Sequence, residues 1–304
     1  MNWLGIVLAG HLLTAVSYIL SKFLLTKSFQ NPFIFTFYVG FLGLASLFLI
    51  PLGFEVPTAI QLFINLLSGA LFTLALLFFF ISLQGAETSR IVPFIGAGIP
   101  VFTLIFELIF LEGNFTFIQL TAFAVLVLGS VVITYEKGGT GFFEKTQLKL
   151  LGGALIAALC FALALGISKV AFIDQPFMSA FIWMRLGSFL STLVILFSTK
   201  HRVAVIKAVE LFKKKEGIIY LVTQSFGAVG FLLVSYAISL ASVSIINALQ
   251  GVQYAFLLII AIIATVKYPN LLKENIGKSS LLTKISGVVI IIIGILMISL
   301  NMST

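Results

Sequence analysis

From Thr58 to Leu83 the chain reads TAIQLFINLLSGALFTLALLFFFISL, without one Asp, Glu, Lys or Arg. As a helix rising about 1.5 Å per residue, this run reaches about 39 Å, beyond the roughly 30 Å hydrocarbon core of a bilayer. A barrel strand would alternate apolar and polar residues over about 10 positions, and this run does not. Working outward, nine further apolar stretches of comparable length follow the same pattern: roughly 3–22, 31–52, 91–111, 116–135, 149–170, 177–198, 217–240, 243–266 and 282–301. The expected fold is an all-α integral membrane protein of ten transmembrane helices.

Composition agrees. Of 304 residues, 61% are hydrophobic and only 9% charged, where a water-facing domain carries about 25%. Mean hydropathy is +1.21. Lipid is therefore the expected solvent, which excludes cytosolic enzymes and secreted domains. The first span lacks a basic leading segment and a small-x-small cleavage site, so it reads as a retained helix. Trp3, Tyr135, Tyr220 and Tyr268 stand at span ends, where aromatic rings anchor in the headgroup layer. One cysteine, Cys160, and two histidines, His11 and His201, give neither a disulfide framework nor a metal cluster, and no cofactor is expected.

The net charge of +8 would suggest nucleic acid in a soluble protein; here it follows the side of the membrane. All but two of the 18 basic residues fall in, or at the edges of, connections after odd-numbered spans, the densest being Lys200–Lys215. The exceptions are Lys169 and Arg185. Lys and Arg concentrate in cytoplasmic loops, so the odd connections are expected inside and both termini outside a plasma membrane. The stretch from Lys200 to Glu216 reads either as an amphipathic helix on the anionic inner leaflet or as a solvated linker.

The two halves echo each other. Ser21-Lys22 matches Ser168-Lys169, and Asn31-Pro32-Phe33 matches Gln175-Pro176-Phe177. Ile81-Ser82-Leu83 matches Ile238-Ser239-Leu240, and Ala122/Gly129 matches Gly287/Gly294, at offsets of 147, 144, 157 and 165. Four matches in order point to a duplication. Residues 1–136 form a first five-helix repeat, 137–147 a linker and 148–304 a second repeat. Because five is odd, the second copy enters the membrane from the opposite side, giving an inverted repeat suited to alternating access.

The stretches that carry a family likeness are Ser82-Leu-Gln-Gly-Ala-Glu-Thr-Ser-Arg-Ile-Val-Pro93, running on through Pro100 to Leu111-Glu112 and Gly129, and Tyr236-Ala-Ile-Ser-Leu-Ala-Ser-Val-Ser244 followed by Asn247-Ala-Leu-Gln-Gly-Val-Gln-Tyr254. With these the chain resembles the EamA family of the drug/metabolite transporter superfamily over essentially its whole length. The resemblance implies a ten-helix basket that carries small solutes outward. It departs in two places. Many members have an Arg in the second span, where this chain has Tyr38 and Phe41, and only Arg185 in the seventh fits the pattern. Members are also often drawn with cytoplasmic termini, against the charge distribution here.

Polar residues deep in spans face a bundle interior or a wet cavity. In the ninth span Ser244, Asn247, Gln250 and Tyr254 share one helical face, with Gln253 at its margin. Their amides can line a substrate site, or they can bond neighbouring helices together. Pro93 in the fourth span permits a kink facing them. Arg185, mid-span, either attracts an anionic group or pairs with Glu107, Asp174 or backbone carbonyls. His11 is a candidate for proton coupling, or else a packing residue; Glu107 is a weaker second candidate. Tyr38 and Gln224 are candidate wall residues. The small-residue pairs in the fifth and tenth spans allow close approach, within one chain or across a homodimer.

No Walker A sequence, His-Glu-x-x-His or Gly-x-Ser-x-Gly is present, and no pair of mid-span acids shares a face, so the chain does not read as an enzyme. The function these features imply is a secondary transporter of small organic metabolites or drugs, and the resemblance implies efflux as its direction. The alternative is a flippase of a lipid-linked or amphiphilic substrate. Partners are then the bilayer and a small molecule, not nucleic acid, with the chain a monomer or homodimer.

Overall fold

The computed structural model describes residues 2–27, 31–85, 88–134, 145–267 and 278–301. Among these there is no strand. The first half runs through α1 (Asn2–Lys27), α2 (Pro32–Leu42), α3 (Ala59–Gly85), α4 (Thr88–Phe110) and α5 (Phe117–Thr134). The second runs through α6 (Lys145–Asp174), α7 (Phe177–Leu193), α8 (Thr199–Phe212), α9 (Lys215–Leu240), α10 (Val243–Ala248), α11 (Gln250–Lys267) and α12 (Lys278–Asn301). Both α2 and α7 tighten at their ends into 3-10 helix, over Gly43–Leu52 and Val194–Phe197.

Several starts are written locally. Asn31 caps α2 by accepting from the Phe33 amide at 3.0 Å, and Pro32 follows where its missing N–H is not needed. Thr58 and Gln61 bond reciprocally ahead of α3, at 3.0 and 3.4 Å. Thr116 and Gln119 repeat the device ahead of α5, at 2.9 and 3.2 Å. In each case two orphan amides at a helix start are satisfied.

Six helical stretches are long and apolar enough to cross a membrane: Trp3–Leu25, Pro32–Leu52, Ala59–Gln84, Gly152–Asp174, Phe177–Phe197 and Lys215–Leu240. Four more apolar stretches are shorter, Ile95–Phe110, Phe117–Val132, Val243–Leu257 and Ile285–Met297. Large apolar side chains lie bare along them, including Phe48, Ile60, Phe117 and Phe197, which a lipid environment covers. The chain folds as a helical membrane protein.

The strongest packing pairs are α1 against α9, α3 against α6 and α5 against α12, with α3 on α7, α4 on α6 and α1 on α11 beside them. At α5 and α12 the backbones nearly touch. A Cβ at Gly129 would lie 3.0 Å from the Ile291 nitrogen and 3.1 Å from the Gly287 carbonyl oxygen, and one at Gly294 2.8 Å from Leu126. The small residues of these two helices thus meet inside one chain.

Three expectations shift. The ninth span is not one helix, for a turn at Leu249 divides α10 from α11. Tyr220 does not reach a headgroup layer: it is fully buried against Phe35, Tyr38 and Phe212, and its hydroxyl donates to the Phe35 carbonyl at 3.1 Å. Trp3 is buried as well; Tyr135 and Tyr268 lie outside the described residues. Within Lys200–Glu216 the chain forms α8, which turns Val205 and Ala208 inward and leaves Val203, Ile206 and Val209 bare.

Candidate functional site

Two polar clusters occupy the interior, on different helices. The first surrounds Arg185, midway along α7. A small cavity of about 10 Å³, room for about one water, lies between Ser68 and Phe72 of α3, Ala164, Leu165 and Ser168 of α6, Phe181, Met184 and Arg185 of α7, and Phe231 and Ser235 of α9. The guanidinium carbon sits 4.5 Å from the Phe72 ring centre, 4.4 Å from Phe231 and 5.5 Å from Phe181. Its Nε is buried with no hydrogen-bond partner among the described residues. No acid lines the cavity. Ser68 donates its hydroxyl to the Ala164 carbonyl at 2.9 Å and Ser168 to that of Leu165 at 2.7 Å, so both hydroxyl oxygens turn lone pairs outward.

The second cluster gathers at the break between α10 and α11. Asn247, Gln253 and Tyr254 are all buried. His11 of α1 lies against the Ile246 backbone and the Gln253 amide, and Tyr18 of α1 reaches the same amide. The Tyr254 hydroxyl rests where a Cβ on Gly96 of α4 would be. His11 Nε2, Asn247 Nδ2 and Gln253 Nε2 have no hydrogen-bond partner among the described residues. Buried polar atoms nearly always find a partner, and here three without one gather at the helix break.

Glu107 and Lys169 do something else. The Glu107 carboxylate accepts from the Ser242 hydroxyl at 2.9 Å, the Ser244 amide at 2.9 Å and the Ser244 hydroxyl at 2.6 Å. It closes the start of α10, where Ser242 is also the cap. Lys169 donates to the carbonyls of Ile238, Ser239 and Ala241, at 2.9, 3.3 and 2.9 Å, closing the end of α9. Negative charge at a helix start and positive charge at a helix end both complement the helix dipole.

The expected residues thus divide. Arg185 pairs with neither Glu107, which is committed to Ser242 and Ser244, nor with Asp174, which lies exposed at the end of α6. Asn247, Gln253, Tyr254 and His11 come together. Ser244 is committed to Glu107, and Gln250 is half-buried beside the break. Tyr38 stands apart from both clusters, its hydroxyl given to the Val205 carbonyl at 2.9 Å. Gln224 is half-buried on α9 and outside the Arg185 cavity. Pro93 falls within α4, its side chain outside the described residues.

Sequence reasoning missed the phenylalanine cage, since nothing separates Phe72, Phe181 and Phe231 from the other members of a set of 32. It also missed the role of Lys169, although a lone lysine apart from the basic connections was a signal. The Asn65–Gln175 amide pair, at 2.8 Å between α3 and the start of α7, gave no signal at all.

No family model and no curated protein matches this chain. Twenty-eight chains of solved structures do. One of them, described as "Crystal structure of protein", superposes with a TM-score of 0.68 over 99% of this chain and 97% of that one, at 16% identity. At that identity the likeness is one of fold.

Proposed function

We propose that the chain is a secondary transporter that exports small organic metabolites or drugs across the plasma membrane, built from two inverted five-helix repeats as in the EamA family. The observation that carries this reading is the exchange symmetry of the packing. Swap the halves, so that α1 stands for α6, α2 for α7, α3 for α9 and α4 for α10–α11, and two major pairs map to others: α1 on α9 to α6 on α3, and α4 on α6 to α11 on α1, while α3 on α7 has no counterpart of its size between α9 and α2. The α5–α12 pair maps onto itself. The matching change to 3-10 helix after α2 and α7 supports the same correspondence.

The ends of the molecule support ten crossings. Gln61, at the start of α3, donates to the Asp174 carbonyl at the end of α6, and Ser179 donates to the Glu55 carbonyl. Lys169, Glu107 and the α9–α10 turn join the same set, so the connections after even-numbered spans share one end. At the other, Phe33 stacks on His201 at 4.1 Å and Tyr38 reaches α8. With the basic residues at that end, the reading places it in the cytoplasm and both termini outside.

Residues 1–136 contribute α3 to the Arg185 cavity and 148–304 contribute α6, α7 and α9, which puts it where the two repeats meet, as in other inverted-repeat carriers. The break between α10 and α11 is the kind of discontinuity at which such carriers bind solutes. In this reading Arg185, Asn247, Gln253 and Tyr254 face substrate, and His11 stands beside them. Purified protein in liposomes loaded with a panel of labelled metabolites tests it. At least one solute should leave faster than from equally loaded liposomes without protein; a folded sample that moves none overturns the proposal.

A further inference from the structure

We propose that α8 is a membrane-surface helix that binds anionic lipids. Its bare valine and isoleucine stripe enters the edge of the hydrocarbon layer, and the basic residues on either side of the stripe hold lipid phosphates. The proposal asks nothing of the carrier reading. It starts from where the helix lies. α8 joins two stretches long and apolar enough to cross a membrane, Phe177–Phe197 and Lys215–Leu240, so it begins and ends at one face of the bilayer. Phe197 just before it and Ile218 just after it are both bare, which carries the lipid-facing surface up to each end of α8.

The helix presents different faces to different surroundings. The inner face docks on the bundle. There Val205 and Ala208 are buried, His201 stacks on Phe33 at 4.1 Å, and the Val205 carbonyl accepts from the Tyr38 hydroxyl at 2.9 Å. At about 100° per residue, Val203, Ile206 and Val209 gather on a second face, and all three are exposed, Ile206 the most at 64%. Lys200 and Lys207, seven apart, run along one side of that stripe and Arg202 lies at the other, each of them exposed. Glu210, the acid on this helix, is engaged by Lys213 at 2.7 Å. From Lys200 to Glu216 six basic residues stand against two acidic ones.

Water would leave the branched apolar stripe uncovered, and hydrocarbon alone would strand the charges beside it. The boundary between them suits both. The stripe sinks among the acyl chains while the long stems of Lys200, Lys207 and Arg202 carry their charges up to the headgroups. The excess of positive charge then chooses among headgroups. A zwitterionic lipid brings its own ammonium with its phosphate, whereas an anionic one does not, and each Lys or Arg near an anionic surface favours it by about fivefold.

The test places a fluorophore on the stripe. Full-length protein carrying Cys160→Ser and Ile206→Cys is labelled at position 206 and reconstituted in liposomes of equal parts phosphatidylglycerol and phosphatidylcholine. Bromine, a short-range quencher, is carried on the acyl chains of one lipid or the other. Both brominated lipids should quench, and phosphatidylglycerol should be found beside the dye about three- to tenfold more often, the worth of a few surface charges. The preference should fall toward parity in about 1 M salt, where the screening length is about 3 Å. It should fall likewise when Lys200→Gln, Arg202→Gln and Lys207→Gln are combined, all exposed positions away from the docked face.

No quenching by either lipid would leave the stripe in water or under a soluble partner and overturns the proposal. Equal quenching by the two lipids at low salt overturns it as well, because the stripe would then meet lipid without choosing a headgroup. Both outcomes are read with every basic residue in place. A preference for phosphatidylglycerol that survives in the folded triple variant overturns the assignment of the charges.

Discussion

Glu107 and Lys169 grip one short turn from opposite sides. Between them they satisfy carbonyls at the end of α9 and the Ser244 amide in the first turn of α10, groups that lipid cannot hydrogen-bond. Hydrogen bonds to a charged group are worth about 1.5–3 kcal/mol each, and a stranded buried partner adds to the loss. Glu107→Gln keeps the shape and one carbonyl acceptor but not the charge, so it should lower stability by about 2 kcal/mol; Glu107→Ala, which strands the Ser244 amide, should lower it further. Lys169→Met keeps the alkyl stem and frees three carbonyls, with an effect of the same size. Cys160, the single cysteine and a buried one, provides the readout, since its reaction with a fluorogenic maleimide on heating reports unfolding. An unchanged melting temperature in Glu107→Ala would show that the turn holds without its carboxylate. From sequence, Glu107 was recognisable as an acid too deep to be solvated. Its partners were not, because serines 135 and 137 residues away leave no periodicity to follow.

Helices are held close here by what is missing from them. On α5, any side chain at Gly129 meets backbone atoms of α12 that cannot swing aside. Gly129→Leu should therefore destabilise the protein by about 1–3 kcal/mol, the usual range for overpacking, or drive α12 out of place. Gly152 on α6 is the control, since a Cβ there has nothing within 4 Å. Gly152→Ala should be neutral or stabilise by up to about 1 kcal/mol, because Ala suits a helix better than Gly. Equal melting temperatures for the Gly129→Leu and native proteins would mean that the α5–α12 contact contributes nothing. This contact was legible, since two small residues seven apart on each of two helices mark a common face. So were the helix starts at Asn31, Thr58 and Thr116, where side chain and backbone sit within three residues of each other. The turn at Leu249 was not. No proline or glycine occupies it, so no local breaker marks the end of α10 in the sequence.

At the scale of the whole molecule, the proposed reading draws orientation from charge and the pairing of halves from repetition; each can be checked without a substrate. The densest basic connection, Lys200–Lys215, is α8 and its flanks, and the connection between the first 3-10 segment and α3 lies at the other end. Lys213 on the α8 side is 68% exposed and Val56 in that connection 84% exposed. With Cys160 replaced by serine, single cysteines at these two positions are the only targets for a membrane-impermeant maleimide. Concentrated lysines and arginines resist translocation, so Val56→Cys should label in intact cells and Lys213→Cys only after the membrane is opened. The reverse pattern would place both termini in the cytoplasm, and charge would have been outweighed by insertion of the long apolar spans. Labelling of both positions from one side is a different outcome. Connections two and seven lie on opposite faces only if five crossings, an odd number, separate them, and that odd number is what turns the second half over relative to the first. A common side for Val56 and Lys213 would leave two parallel bundles, with no means of exposing the Arg185 cavity first to one face and then to the other.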